Sequence, residues 1–247
     1  MCKIKLNVCV IAVAAMTVTA TVSGGEHWGY SGEAGPENWG ELEADYAVCA
    51  NGRNQSPIDL ANFVEADIQP IDFAYKPGAT EILNNGHTVQ VNYAAGSSIT
   101  IDGHAFELKQ FHFHAPSENK INGKHFPLEG HLVHADKDGN LAVVAVMFEQ
   151  GRNNPLLSPL WMQMPDKAGD RNALPKPYDV SAMLPSERDY YRFNGSLTTP
   201  PCTEGVLWLV LKQPAIASKP QIDQFTKVMG HPNNRPVQPV NARAVLK

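Results

Sequence analysis

The chain has 247 residues, 43% of them hydrophobic and 18% charged, with a formal net charge of −5; this is a globular composition, long enough for one large domain or two small ones. It offers no basic excess for a nucleic-acid surface and no run of like charge that would form a tail. With 19 glycines and 19 prolines, it has turn formers to spare.

The first residues stand apart. In MCKIKLNVCVIAVAAMTVTATVSGG, Lys3 and Lys5 precede an apolar run from Leu6 to Val22, and small residues follow. That is the layout of a secretory signal peptide over residues 1–24, cut between about 20 and 25, which leaves 25–247 as one domain. An uncleaved anchor is the alternative, but threonines interrupt the run and it is short for a span. No later stretch is long and apolar enough to cross a membrane, so none remains once the leader is removed. Export places the protein in the periplasm or outside the cell. Losing the leader also removes Cys2 and Cys9 and leaves Cys49 and Cys202. In an exported chain such a pair ordinarily forms a disulfide; two free buried thiols are the alternative.

Beyond the leader, TVQVNY (88–93), SSITI (97–101) and AFELKQFHFH (105–114) alternate polar and apolar residues between Gly and Asp-Gly turns, which predicts antiparallel strands. LEGHLVHA (128–135) and LAVVAVMFE (141–149) flank the turn-rich DKDGN, a hairpin. LAVVAVMF is apolar on both faces and predicts a buried central strand, as does GVLWLVLK (205–212). NPLLSPLWMQM (154–164) suggests a short helix. A better one starts at Ser218 as N-cap, has Pro220 in its first turn, carries Ile222, Phe225 and Met229 on one stripe, and stops at Gly230. The chain is therefore mainly β with a few short helices.

The histidines carry the chemistry. His112 and His114 are two apart in a strand and share a face. Spacing alone leaves a metal site, a hydrogen-bonded core and a histidine-rich surface open. His131 lies in another strand-like segment, and neighbouring strands would bring three imidazoles together. Three nitrogen ligands with a fourth position open make a catalytic zinc arrangement. Gln110 and Glu129 each lie two residues before one of these histidines, on the same face, where they serve as acceptors that fix an imidazole's tautomer. His134 has the opposite parity from His131 and reads as a core residue. No HExxH motif is present, which argues against a helix-borne zinc protease.

QFHFHAPSE, LEGHLVHAD and GSLTTPPCTEGVLWLVLKQP resemble the signature segments of α-class carbonic anhydrases. So do HWGYSGEAGPENW (27–39), NQSPIDL (54–60), ILNNGH (82–87) and NNRPVQPVNAR (233–243). They run in the family's order across 27–243, and the leader and cysteine pair resemble the exported bacterial members. The resemblance implies a single domain around a large twisted, mostly antiparallel sheet of about ten strands. It implies reversible hydration of carbon dioxide to bicarbonate and a proton, by zinc-hydroxide attack and histidine proton shuttling. The zinc ligands would be His112, His114 and His131, supported by Gln110 and Glu129. Thr198 would accept a hydrogen bond from the zinc hydroxide, Glu118 would orient Thr198, and His87 would shuttle the proton. Val133, Val143, Leu197, Val206 and Trp208 match the apolar wall where carbon dioxide rests. Tyr30, Asn85, Gln90 and Thr199 match the polar wall that holds a water chain. Cys49 and Cys202 match a disulfide that braces the loop of Thr198. A backbone carbonyl near Ala242 would support a zinc ligand. Sulfonamide and anion inhibitors would bind at the zinc, and the family pattern leaves room for a homodimer.

Other readings are weaker. A catalytically silent binding domain of this family would be expected to lack a ligand histidine, and all three stand here. A zinc-storage protein would favour flexible histidine-rich runs. A serine esterase would need G-x-S-x-G, which is absent, although weak esterase activity would accompany a zinc-hydroxide site.

Overall fold

The computed structural model of the protein describes residues 28–247; the predicted leader lies outside them. Short helical turns come first, including α1 (Trp39–Leu42) and α2 (Val48–Asn51). The strands follow: β1 (Asp59–Leu60), β2 (Asp72–Ala74), β3 (Ala79–Asn84), β4 (Val89–Tyr93), β5 (Ser98–Ile101), β6 (His104–His114), β7 (Lys120–Ile121), β8 (Leu128–Ala135) and β9 (Leu141–Gly151). After α3 (Ser158–Trp161) come β10 (Arg171–Tyr178), β11 (Tyr190–Ser196), β12 (Glu204–Leu211), β13 (Ala215–Ser218) and α4 (Lys219–Met229).

Among the described residues, eleven strands form one sheet, whose main path runs β10-β3-β4-β6-β8-β9-β12-β11. Most pairs are antiparallel, but β12 and β13 both run parallel to β9. β9 is the predicted central strand: Ala142 to Phe148 are all buried. Its alternate residues face opposite sides of the sheet. Ala142, Val144, Val146 and Phe148 enter the larger core with Phe111, Phe113 and Phe225. Val143, Ala145 and Met147 enter a second core with Val206, Trp208 and Val210. A strand buried on both faces must be apolar throughout, which is what its sequence shows.

The predicted hairpin turn forms, with the Asp136 carboxylate accepting from the Asp138 and Asn140 amides, each at 2.9 Å. α4 also forms as predicted. The Ser218 hydroxyl accepts from the Gln221 amide, Gln221 reaches back to the Ser218 amide, and Gly230 ends the helix at φ 72°. That reciprocal cap is worth about 1 kcal/mol, and only Gly adopts that φ without strain. α3 covers one turn, far less than 154–164. β10 is an edge strand, and its Pro175 and Pro177 lie where its register with β3 breaks between Ala173 and Tyr178, settings in which a sheet tolerates missing N–H donors.

Candidate metal centre

β6 and β8 are antiparallel neighbours, and His112 pairs with His131 in their register. On β6, Phe111 and Phe113 point into the larger core, so His112 and His114 point to the other side, where Val133 of β8 packs on the second core. The strand parity thus places three imidazoles on one face. One nitrogen from each of His112, His114 and His131 lies within 4.8 Å of the others.

Each ring's second nitrogen faces an oxygen acceptor, and for His112 and His114 the contact is a hydrogen bond. His112 Nδ1 is 2.8 Å from Gln110 Oε1, and His114 Nδ1 is 2.6 Å from the Asn233 carbonyl oxygen. Glu129 Oε1 approaches His131 Nε2 to 3.0 Å, off the line of an ideal hydrogen bond. Glu129 is itself held by donors from the Glu118 amide (2.7 Å), the Asn119 amide (3.0 Å) and Asn119 Nδ2 (2.8 Å). An acceptor on one ring nitrogen makes that nitrogen the N–H and leaves the lone pair on the other. The lone pairs therefore fall on His112 Nε2, His114 Nε2 and His131 Nδ1. Burial holds the pKa of His112 and His131 well below the usual histidine value and lowers that of His114. For His112, the charges of His114 and His131 add to that effect. Neutral imidazoles with converging lone pairs are the form a divalent cation takes. His114 Nε2 is buried without a hydrogen-bond partner, a lone pair that a bound cation would satisfy. The donor set fits zinc.

The supporting carbonyl is that of Asn233, not one near Ala242. Ala242 is exposed beside a turn closed by the Arg243 amide on Val240 O (3.2 Å). Nothing about NNRPV in isolation marks a carbonyl as an acceptor, because the pairing depends on a distant loop lying against β6.

Glu118 is fully buried. Its Oε1 accepts from the Arg235 amide at 2.9 Å. Its Oε2 makes no hydrogen bond and lies 3.5 Å from His114 Nε2 and 3.9 Å from His131 Nδ1. Burial pushes its pKa up to about 8, against the stabilising Arg235 amide and Thr198 hydroxyl. Thr198 is buried in the turn after β11. That turn is closed by the Cys202 amide on Thr199 O (2.8 Å), and Cys202 forms the predicted disulfide with Cys49.

The proposed apolar wall assembles beside the histidines. Val143, Val206 and Trp208 are buried in the second core, with Val133 and Leu197 packed on it. The Trp208 ring meets His131 edge-on at 5.0 Å. On the other flank, Gln90 pairs with His112 in register, and Asn85 Nδ2 donates to Gln90 Oε1 at 3.4 Å. Burial raises the pKa of the Tyr30 phenol well above its usual value, so it stays a hydroxyl. His87 is half-buried and stacks on Trp28 with ring centres 3.7 Å apart. His134 is fully buried on the other parity, with Tyr75 Oη 2.7 Å from its Nε2.

Comparison with known proteins agrees with this geometry. The family model described as eukaryotic-type carbonic anhydrase matches residues 34–247. A carbonic anhydrase of Pectobacterium carotovorum is 47% identical over 98% of each chain. The solved α-carbonic anhydrase from Thermovibrio ammonificans, in complex with the inhibitor sulfanilamide, is 51% identical with a TM-score of 0.89, covering 91% of this chain and 100% of its own. Dioscorin complexed with ascorbate has a TM-score of 0.84 at 33% identity, covering 90% of this chain and 97% of its own.

Proposed function

The chain belongs to the eukaryotic-type carbonic anhydrase family and is an enzyme of carbon dioxide hydration, and from that premise we propose how its residues perform CO2 + H2O ⇌ HCO3⁻ + H⁺. His112 Nε2, His114 Nε2 and His131 Nδ1 would hold zinc. When bound, zinc would lower the pKa of a water to about 7, a magnitude known from carbonic anhydrases as a class, and three neutral ligands would leave its full charge to do so. The single observation that carries the reading is the convergence of three ring nitrogens, each ring with an oxygen acceptor within 3.0 Å of its opposite nitrogen.

The protein's own groups do the rest. Gln110, Asn233 O and Glu129 keep each imidazole in one tautomer and one orientation. Burial favours the protonated form of Glu118, but a divalent cation held beside it would favour the carboxylate; once ionised, Glu118 accepts a hydrogen bond from the Thr198 hydroxyl, so towards its other neighbours the Thr198 oxygen can only accept. It then holds a nucleophilic oxygen that still carries a proton and turns away anions that carry none. Val133, Val143, Leu197, Val206 and Trp208 offer carbon dioxide a surface without hydrogen bonds, from which charged bicarbonate departs. Tyr30, Asn85, Gln90 and Thr199 line the route of ordered water toward His87. His87 passes the released proton to buffer, a role suited to an imidazole.

The same site would take sulfonamides and small anions and would cleave activated esters slowly. The disulfide suits the periplasm or the exterior, in keeping with cleavage of residues 1–24, and a homodimer is compatible with the reading. The similarity to dioscorin, solved in complex with ascorbate, is the one observation that favours a second reading of this chain, a catalytically silent binding domain. Stopped-flow hydration of carbon dioxide separates the two. The zinc-loaded protein should be fast, and both His114→Ala and a chelated sample should fall to the buffer rate. Zinc bound with no hydration would favour the silent domain.

A further inference from the structure

Arg235 is 1% exposed, yet among the described residues no carboxylate pairs with its guanidinium. Nη1 donates to Gln55 Oε1 and to Ser56 O, and Nη2 donates to Cys49 O, all at 2.8 Å. The group lies over the Trp39 ring, 5.5 Å from its centre. Gln55 Nε2 in turn donates to Cys202 O at 3.0 Å. The carbonyls of both disulfide cysteines therefore end on Arg235, one directly and one through Gln55. Burying a cation on neutral acceptors is costly, and an apolar side chain of similar volume would fill the space more cheaply. Packing alone does not explain the choice.

The segment that carries Arg235 has no strand or helix to hold it, yet it contacts the centre repeatedly. The Arg235 amide donates to Glu118 Oε1. Two residues earlier, Asn233 O takes His114 Nδ1, Asn233 Oδ1 accepts from the Ala115 amide at 2.9 Å, and Asn233 Nδ2 donates to Phe113 O at 2.9 Å and His87 O at 3.1 Å. An irregular segment orients a ligand only if something outside it fixes its position.

We propose that Arg235 is a positioning residue through which the Cys49–Cys202 disulfide fixes the segment that orients His114 and Glu118. It touches neither substrate nor metal; it acts through Asn233 and its own amide. The inference rests on the reading of His112, His114 and His131 as zinc ligands. It requires that loosening the anchor should free zinc, whereas a residue that only supports the fold would lower stability and leave zinc release unchanged.

The test is the rate at which zinc passes from the loaded full chain to excess dipicolinate, read alongside thermal unfolding. Arg235→Met should release zinc roughly 10-fold faster or more, Arg235→Lys should recover part of the difference, and Gln55→Leu should fall between Arg235→Met and the wild type. Replacing both cysteines by serine should speed release to a similar extent, and adding Arg235→Met to that pair should bring little further change, because the two act in one chain of contacts. Should Arg235→Met fail to fold, Gln55→Leu, which leaves every charge in place, decides alone. Release at the wild-type rate in the folded variants, or an additive effect of the cysteine and arginine changes, overturns the proposal. A wild type that holds no zinc overturns the reading of the centre and this inference with it.

Discussion

His134 gives the sharpest stability prediction because its environment fixes it as a neutral base. It is fully buried, Tyr75 Oη sits 2.7 Å from Nε2, and Nδ1 faces the Ala142 carbonyl at 3.3 Å. Burial pulls its pKa down from 6.5 to about 4, against two backbone hydrogen bonds that favour the charged form. The unfolded chain therefore takes the proton first as the pH falls. The contribution is whole above pH 6.5, declines between 6.5 and 4, and has no further slope below that. At 1.36 kcal/mol per unit, the wild type should lose about 3 kcal/mol through this residue between pH 7.5 and pH 4. His134→Gln removes the titration, whatever it does to baseline stability. Urea unfolding of the metal-free proteins across that pH range should show the wild type falling more steeply than the variant by about this amount. Parallel curves would refute the assignment of a buried neutral imidazole.

Other outcomes follow from the same contacts. Gln110→Leu takes away the acceptor at His112 Nδ1 and should weaken zinc binding by roughly 10- to 100-fold in chelator competition. Replacing Cys49 and Cys202 by serine opens a loop with a sequence separation of 153; in the chain-entropy picture this costs up to about 5 kcal/mol in urea unfolding. His87→Ala should slow turnover roughly 10-fold or more in dilute buffer, and imidazole should restore part of it; a variant indifferent to imidazole would remove His87 from the proton path. Gly195→Ala would drive a Cβ into Ser56 Oγ and set it 2.9 Å from the Trp208 ring, so it should cost about 1–3 kcal/mol by overpacking.

The parts of this protein that could be read from its sequence are those governed by short-range periodicity. The two-residue spacing of His112 and His114, the parity of His131 against His134, and the unbroken apolar run of Val143 to Phe148 each state a face of a strand, and the sheet obeys all of them. The cap at Ser218 and the stop at Gly230 were legible for the same reason, because both act within a turn. Asn233 and Arg235 were not. Their partners, His114, Glu118, Gln55 and the disulfide carbonyls, lie far away in sequence, and a backbone acceptor leaves no mark on residue type. The carbonyl placed near Ala242 by resemblance failed on that point. β10 has no counterpart among the strands expected from the sequence, because Pro175 and Pro177 carry no strand signal; they are tolerated at a sheet edge where the register breaks. The roles given to Thr198, Glu118 and His87 came from likeness to a family, since a threonine after a strand or a histidine after a turn carries no periodic signal.

The central claim is that three neutral imidazoles hold one zinc and leave a position open for water. X-ray absorption at the zinc edge of the loaded protein tests it most directly, with elemental analysis of the same sample. The account predicts about one zinc per chain, three imidazole nitrogens at about 2.0–2.1 Å with one further light-atom ligand, and loss of the bound metal in His114→Ala. Sulfur or carboxylate oxygens from the protein in that shell, or a zinc that stays equally well bound in His114→Ala, would contradict it.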